Sequence, residues 1–127
     1  MSYESRIFVA GKFSVPYDPR YTEATGNTEY TAAEIFADMR LSRMPFDFKD
    51  IFIQPVTWKF YGDNDINYTE DRYGDTCHYT DLQTVIDYLE KSEATEPRRR
   101  NAPAIAMLKA YATEQWDDEM IVIHYGY

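Results

Sequence analysis

The chain has one cysteine, Cys77, so no internal disulfide can form, and a small secreted scaffold held by bridges is excluded. It has five glycines, too few and too scattered for a phosphate-cradling loop: neither G-x-x-x-x-G-K-[ST] nor G-x-G-x-x-G occurs. No apolar run approaches the length of a membrane span, and the opening MSYESRIFVAGKF has no basic region followed by a long apolar stretch. These absences together predict a cytoplasmic protein that neither enters nor rests on a membrane. Bases are scarce as well, with 13 Lys and Arg against 22 Asp and Glu for a formal net charge of -9, which argues against direct binding of nucleic acid through phosphates.

What the chain does have is aromatic weight. Twelve Tyr, seven Phe and two Trp in 127 residues supply ample apolar surface for one core, so residues 1–127 are expected to form a single domain. Residues 6–13, RIFVAGKF, and the closing MIVIHYGY are near-continuous apolar runs, read as two neighbouring central strands. Between Pro55 and Tyr61, Val56, Trp58 and Phe60 alternate with Thr57, Lys59 and Tyr61, the period of a strand with one wet face. Turn residues at 62–65 then allow INYTEDRYG to return as the second strand of a hairpin.

Three helices are expected. Thr31 and Glu34 have capping-box spacing ahead of Ala32, Ile35, Phe36 and Met39, which predicts a helix fading near Arg43. Thr80 and Gln83 form a second box, before Leu82, Val85, Ile86 and Leu89. A third helix is expected in the run RRRNAPAIAMLKAYATEQ, for which Pro97, just before it, and Pro103 both suit a first turn, with Ile105, Leu108 and Ala112 on one face and Met107 and Tyr111 beside it. Residues 14–30 read as a long loop, and 44–54 fit neither period. The order β, α, β, β, α, α, β implies an α+β fold: a small, mainly antiparallel sheet of about four strands with two to three helices packed on one face.

Candidate chemistry is sparse. Cys77 and His78 resemble a thiolate and its base, but neighbours on a strand point to opposite faces and cannot meet. His124 can approach one of them from another strand, yet soft ligands are too few for a closed metal site, and no metal or cofactor is expected. Asp63, Asp65 and Asn67 begin a calcium-loop pattern that fails at Tyr68, where glycine is required, and at Gly74, where glutamate is required. Asn67-Tyr68-Thr69 is a glycosylation sequon that a cytoplasmic chain would not use. No catalytic residues are assigned, and the chain is expected not to be an enzyme.

The distribution of charge is more informative. Residues 62–96 carry ten acids against Arg72 and Lys91, a local balance of -8 and nearly all the net charge. Asp63, Asp65, Glu70, Asp71 and Asp75, together with Tyr68 and Tyr73, offer carboxylates where phosphates would stand on a basic channel, with tyrosines as rigid contact area. The competing reading is that a hairpin edge and a wet helix face are charged because they face water. Arg98, Arg99 and Arg100 are the other marked cluster, suited to an acidic partner, a phosphate or the acidic stretch of a second subunit. They carry the alternative function, a small-molecule or nucleotide-signal binder, as a single chain or as a homo-oligomer.

The segments MSYESRIFV, EDRYGDTCHYTDLQTVIDYLEK and EQWDDEMIVIHYGY resemble parts of small proteins from phages, prophages and mobile elements of Gram-positive bacteria. That resemblance implies an inhibitor of host defence, anti-CRISPR-like in kind, whose partner is a nucleic-acid-binding or defence protein of the host. It brings no catalytic motif.

Overall fold

The computed structural model describes residues 5–13, 32–42, 44–60, 74–95, 101–114 and 119–126. Six strands form one sheet: β1 (Ser5–Phe13), β2 (Ala32–Arg40), β3 (Gln54–Pro55), β4 (Thr57–Phe60), β5 (His78–Asp81) and β6 (Glu119–Gly126). Two helices, α1 (Leu82–Thr95) and α2 (Asn101–Thr113), and a 3-10 turn at Phe46–Ile51 complete the described part. The architecture is α+β, as the element pattern implied, with a larger sheet and one helix fewer among the described residues.

The sheet runs β3-β5-β6-β1-β2-β4, antiparallel throughout except for β2 with β4. Its two outermost strands are consecutive in the chain. Residues 54–55 pair with β5, the Val56 N–H donates to the Cys77 carbonyl at 3.1 Å, and residues 57–60 pair with β2. One extended segment therefore bridges both edges, so the sheet must curl until they meet across Val56, which satisfies backbone groups that an open edge would expose.

Curling gives the sheet an inside and an outside, each with its own core. Inside lie Phe8, Ala10, Ala33, Ile35, Val56, Trp58, Cys77, Ile121 and Ile123. Phe8 stands 5.0 Å from Trp58 and 5.1 Å from Tyr125 between ring centroids, and Trp58 meets Tyr125 edge-on, geometries favoured by ring quadrupoles. Outside, Ile7, Val9 and Val122 meet Leu82, Val85, Ile86 and Leu89 of α1 and Ala104 and Leu108 of α2. β1 and β6 are buried on both faces, which is why their sequences show no alternation.

The helix expected from Thr31 is instead strand β2. β2 pairs with β1 through a bulge: Val9 pairs with Ala37 and Ala10 with Ile35, leaving Phe36 as the extra residue. Before the bulge Ala33 and Ile35 face the inner core; after it Ala37 and Met39 face the outer one. Ala33, Ile35, Ala37 and Met39 thus keep the alternation of a strand; the helical spacing arises only when Phe36, which is 38% exposed, is counted with Ile35 and Met39 as one buried stripe.

Other corrections are local. Thr80 lies in β5 rather than capping α1; the cap is Asp81, whose Oδ1 accepts from the Thr84 N–H at 2.7 Å, worth about 1 kcal/mol. The apolar face of α1 is as expected, with Leu82, Val85, Ile86 and Leu89 buried. In α2 Ala112 is exposed, and the buried residues are Asn101, Ala104 and Leu108. Asn101, fully buried, accepts from the Ser42 N–H and donates to Met44 Sδ, tying the start of α2 to the chain after β2. Thr57 is buried rather than wet, and Lys59 pairs with Glu34 across β4 and β2. The untyped segment 44–54 contains the 3-10 turn. The expected loop at 14–30 and the returning hairpin strand up to Tyr73 lie outside the described residues.

Candidate functional site

The site is built where β5 and β6 run side by side beneath the 3-10 turn. His78 and His124 are direct partners across these antiparallel strands, so both imidazoles stand on the outer face. Cys77, one residue earlier, points into the inner core and is buried. The alternation thus separates Cys77 from His78, as expected of strand neighbours, and brings His78 to His124 instead.

Each imidazole is held differently. His78 Nδ1 lies 2.9 Å from the Thr76 carbonyl, which can only accept, so Nδ1 carries the proton and the neutral ring keeps its acceptor at Nε2. His124 is buried, with Nε2 3.0 Å from Ser5 Oγ. Its ring packs against Phe48 and Phe52, at 5.8 and 5.3 Å between centroids. The 3-10 turn is pinned in place by Phe48 in the outer core and by the Tyr88 hydroxyl of α1, which donates to Asp47 at 2.6 Å. Ser5 is 5% exposed and does not line the neighbouring cleft, so the Ser5 and His124 contact orients a ring rather than presenting a nucleophile.

Between the turn and the strands lies an open cleft of about 450 Å³, lined by Lys49, Asp50, Phe52, Ile53, Asp75, Thr76, His78 and His124. Gly74, with φ of +82°, makes the bend that leads into its Asp75–Thr76 wall, a backbone conformation that side-chain-bearing residues rarely adopt. Among the described residues its lining includes the carboxylates of Asp50 and Asp75 and the ammonium of Lys49. Among the described residues no three His, Cys, Asp or Glu side chains are placed to hold a metal ion.

Of the residues singled out by charge, Asp75 is exposed and forms part of this cleft. Asp63, Asp65, Tyr68, Glu70, Asp71 and Tyr73 lie outside the described residues, as do Arg98, Arg99 and Arg100. The exposed acids that are described include Asp81, Asp87 and Glu90, with Glu90 paired to Lys109 of α2. At another part of the sheet, the Tyr79 hydroxyl, and then Glu119 at 3.5 Å, hold the Lys12 ammonium above the ordinary lysine value. Lys49, Asp50, Phe52 and Ile53 carried no signal in the sequence. No helix of the described residues is long and apolar enough to cross a membrane.

No family model, curated protein or solved structure matches the chain.

Proposed function

We propose that this protein is a non-enzymatic binding module that docks on a basic surface of another protein, and that its partner is a nucleic-acid-binding or defence protein of a bacterial host. The observation that carries this reading is the segregation of charge: a balance of -8 over residues 62–96 in a chain whose other segments are near neutral or basic apart from the acidic residues before β6. Self-repulsion of that density opposes compactness, and a basic partner relieves it. Asp75, Asp81, Asp87 and Glu90 are exposed, so this part of the stretch presents its charge to solvent, where it can steer a partner. Such a module would compete with phosphates for a basic channel, the action expected of an anti-CRISPR-like inhibitor.

The test reverses the charge. A D63K/D65K/E70K/D71K variant and the parent chain are used as bait in nuclease-treated lysate of a Gram-positive host, and circular dichroism checks that both fold alike. The basic protein retained by the parent is expected to be lost from the variant, its affinity falling at least about tenfold when remeasured with purified components. Equal retention would remove this surface from the account.

A further inference from the structure

The segment that bridges the two sheet edges holds to them unequally. Towards β2 it runs as β4, with Val56, Thr57 and Trp58 all buried. Towards β5 it runs as β3, two residues long, and both Gln54 and Pro55 are exposed. Proline is a residue that central strands exclude, so this stretch has the character of an edge although it lies against β5. Beyond it the seam has one further bond, from the Val56 N–H to the Cys77 carbonyl, before the chain crosses to β2.

Two buried side chains fasten the seam from opposite faces. Phe52 packs on His124 outside the sheet, and Val56 sits in the inner core. Ile53, Gln54 and Pro55 between them are exposed and bury little. Lifting residues 53–56 therefore gives up one buried side chain and a short ladder, whereas unfolding gives up both cores and the long ladders of β1 with β2 and β6. Directly beneath lies Cys77, the one thiol of the chain, 2% exposed in the inner core. We propose that residues 53–56 are a gate: they lift from β5 while β1, β2, β5 and β6 stay paired, and open the inner core to solvent at Cys77. Ile53 and His78 also line the cleft, so a molecule seated there meets the gate from outside. The gate does not depend on the proposed docking function.

The experiment follows alkylation of Cys77 by iodoacetamide in the full chain, read by intact mass as the thiolate displaces iodide, together with amide exchange read by NMR. Below the urea transition, labelling is expected at least about tenfold faster than the globally unfolded fraction allows, and nearly level with urea, because the open gate exposes little new surface. The Val56 amide is expected to exchange at least about tenfold faster than those of Val9 and Val122 in the central strands. Val56→Ala, which takes methyl groups from the inner anchor, should raise labelling at least about threefold. Leu108→Val, made in the outer core on α2, should lower global stability and leave labelling below the transition unchanged. Labelling that tracks global unfolding in urea, a Val56 amide as protected as that of Val9, or the same labelling rate in the two variants would overturn the gate.

Discussion

Replacing Phe8 with alanine is expected to lower stability by about 3–5 kcal/mol, a large share of the roughly 5–15 kcal/mol that holds a domain of this kind together. The reason lies in what surrounds the ring. Phe8 is 2% exposed on a strand paired on both sides, with its ring set between Trp58 and Tyr125. Ala10 and Ala33 share the inner core and are too small to move into the space. The curled backbone cannot collapse around a void either, because its edges are already joined through residues 54–60. Phe8→Leu, which keeps most of the volume, should cost far less. Urea denaturation followed by circular dichroism measures both, and a loss below about 1 kcal/mol for Phe8→Ala would contradict this description of the inner core.

Val56→Pro is expected to cost about 3 kcal/mol or more. Proline removes the N–H that donates to the Cys77 carbonyl, leaving that carbonyl without this donor at the junction of the two sheet edges. Val56→Ala is the control, since it removes buried methyl groups and keeps the N–H. If the bridging segment closes the sheet, proline must be the more damaging of the two by a clear margin in the same denaturation experiment. Equal losses would mean that Val56 matters only for its packing.

Parts of the fold were legible in the sequence for identifiable reasons. β1 and β6 are apolar on both faces because both cores press on them, and that uninterrupted character is visible in RIFVAGKF and MIVIHYGY. α1 keeps one face in the outer core, so Leu82, Val85, Ile86 and Leu89 recur at helical spacing. β2 was missed because Phe36, the extra residue of the bulge and 38% exposed, completes a helical spacing with Ile35 and Met39, although Ala33, Ile35, Ala37 and Met39 alternate as strand residues do. β5 is four residues long and borrows capping residues from the helix that follows, so its pattern was absorbed into that helix.

The candidate cleft was less legible than the fold. Asp75 stood out by charge, and His78 and His124 by type, but nothing in their spacing of 46 positions tells that two strands place them opposite one another. Lys49, Asp50 and Ile53 reach the same cleft because the 3-10 turn is folded over β6 by Phe48 and Phe52. Such contacts depend on pairing far apart in the chain, which periodicity within a short window does not record.

The central claim is electrostatic docking on a basic protein, and the most direct measurement is the affinity of the purified, captured partner across a salt series. At about 50 mM salt the exposed carboxylates act over more than a Debye length of 10 Å, and at about 500 mM over much less. The account predicts affinity falling at least about tenfold across that range, chiefly through slower association. An affinity that stays level across the series would contradict it.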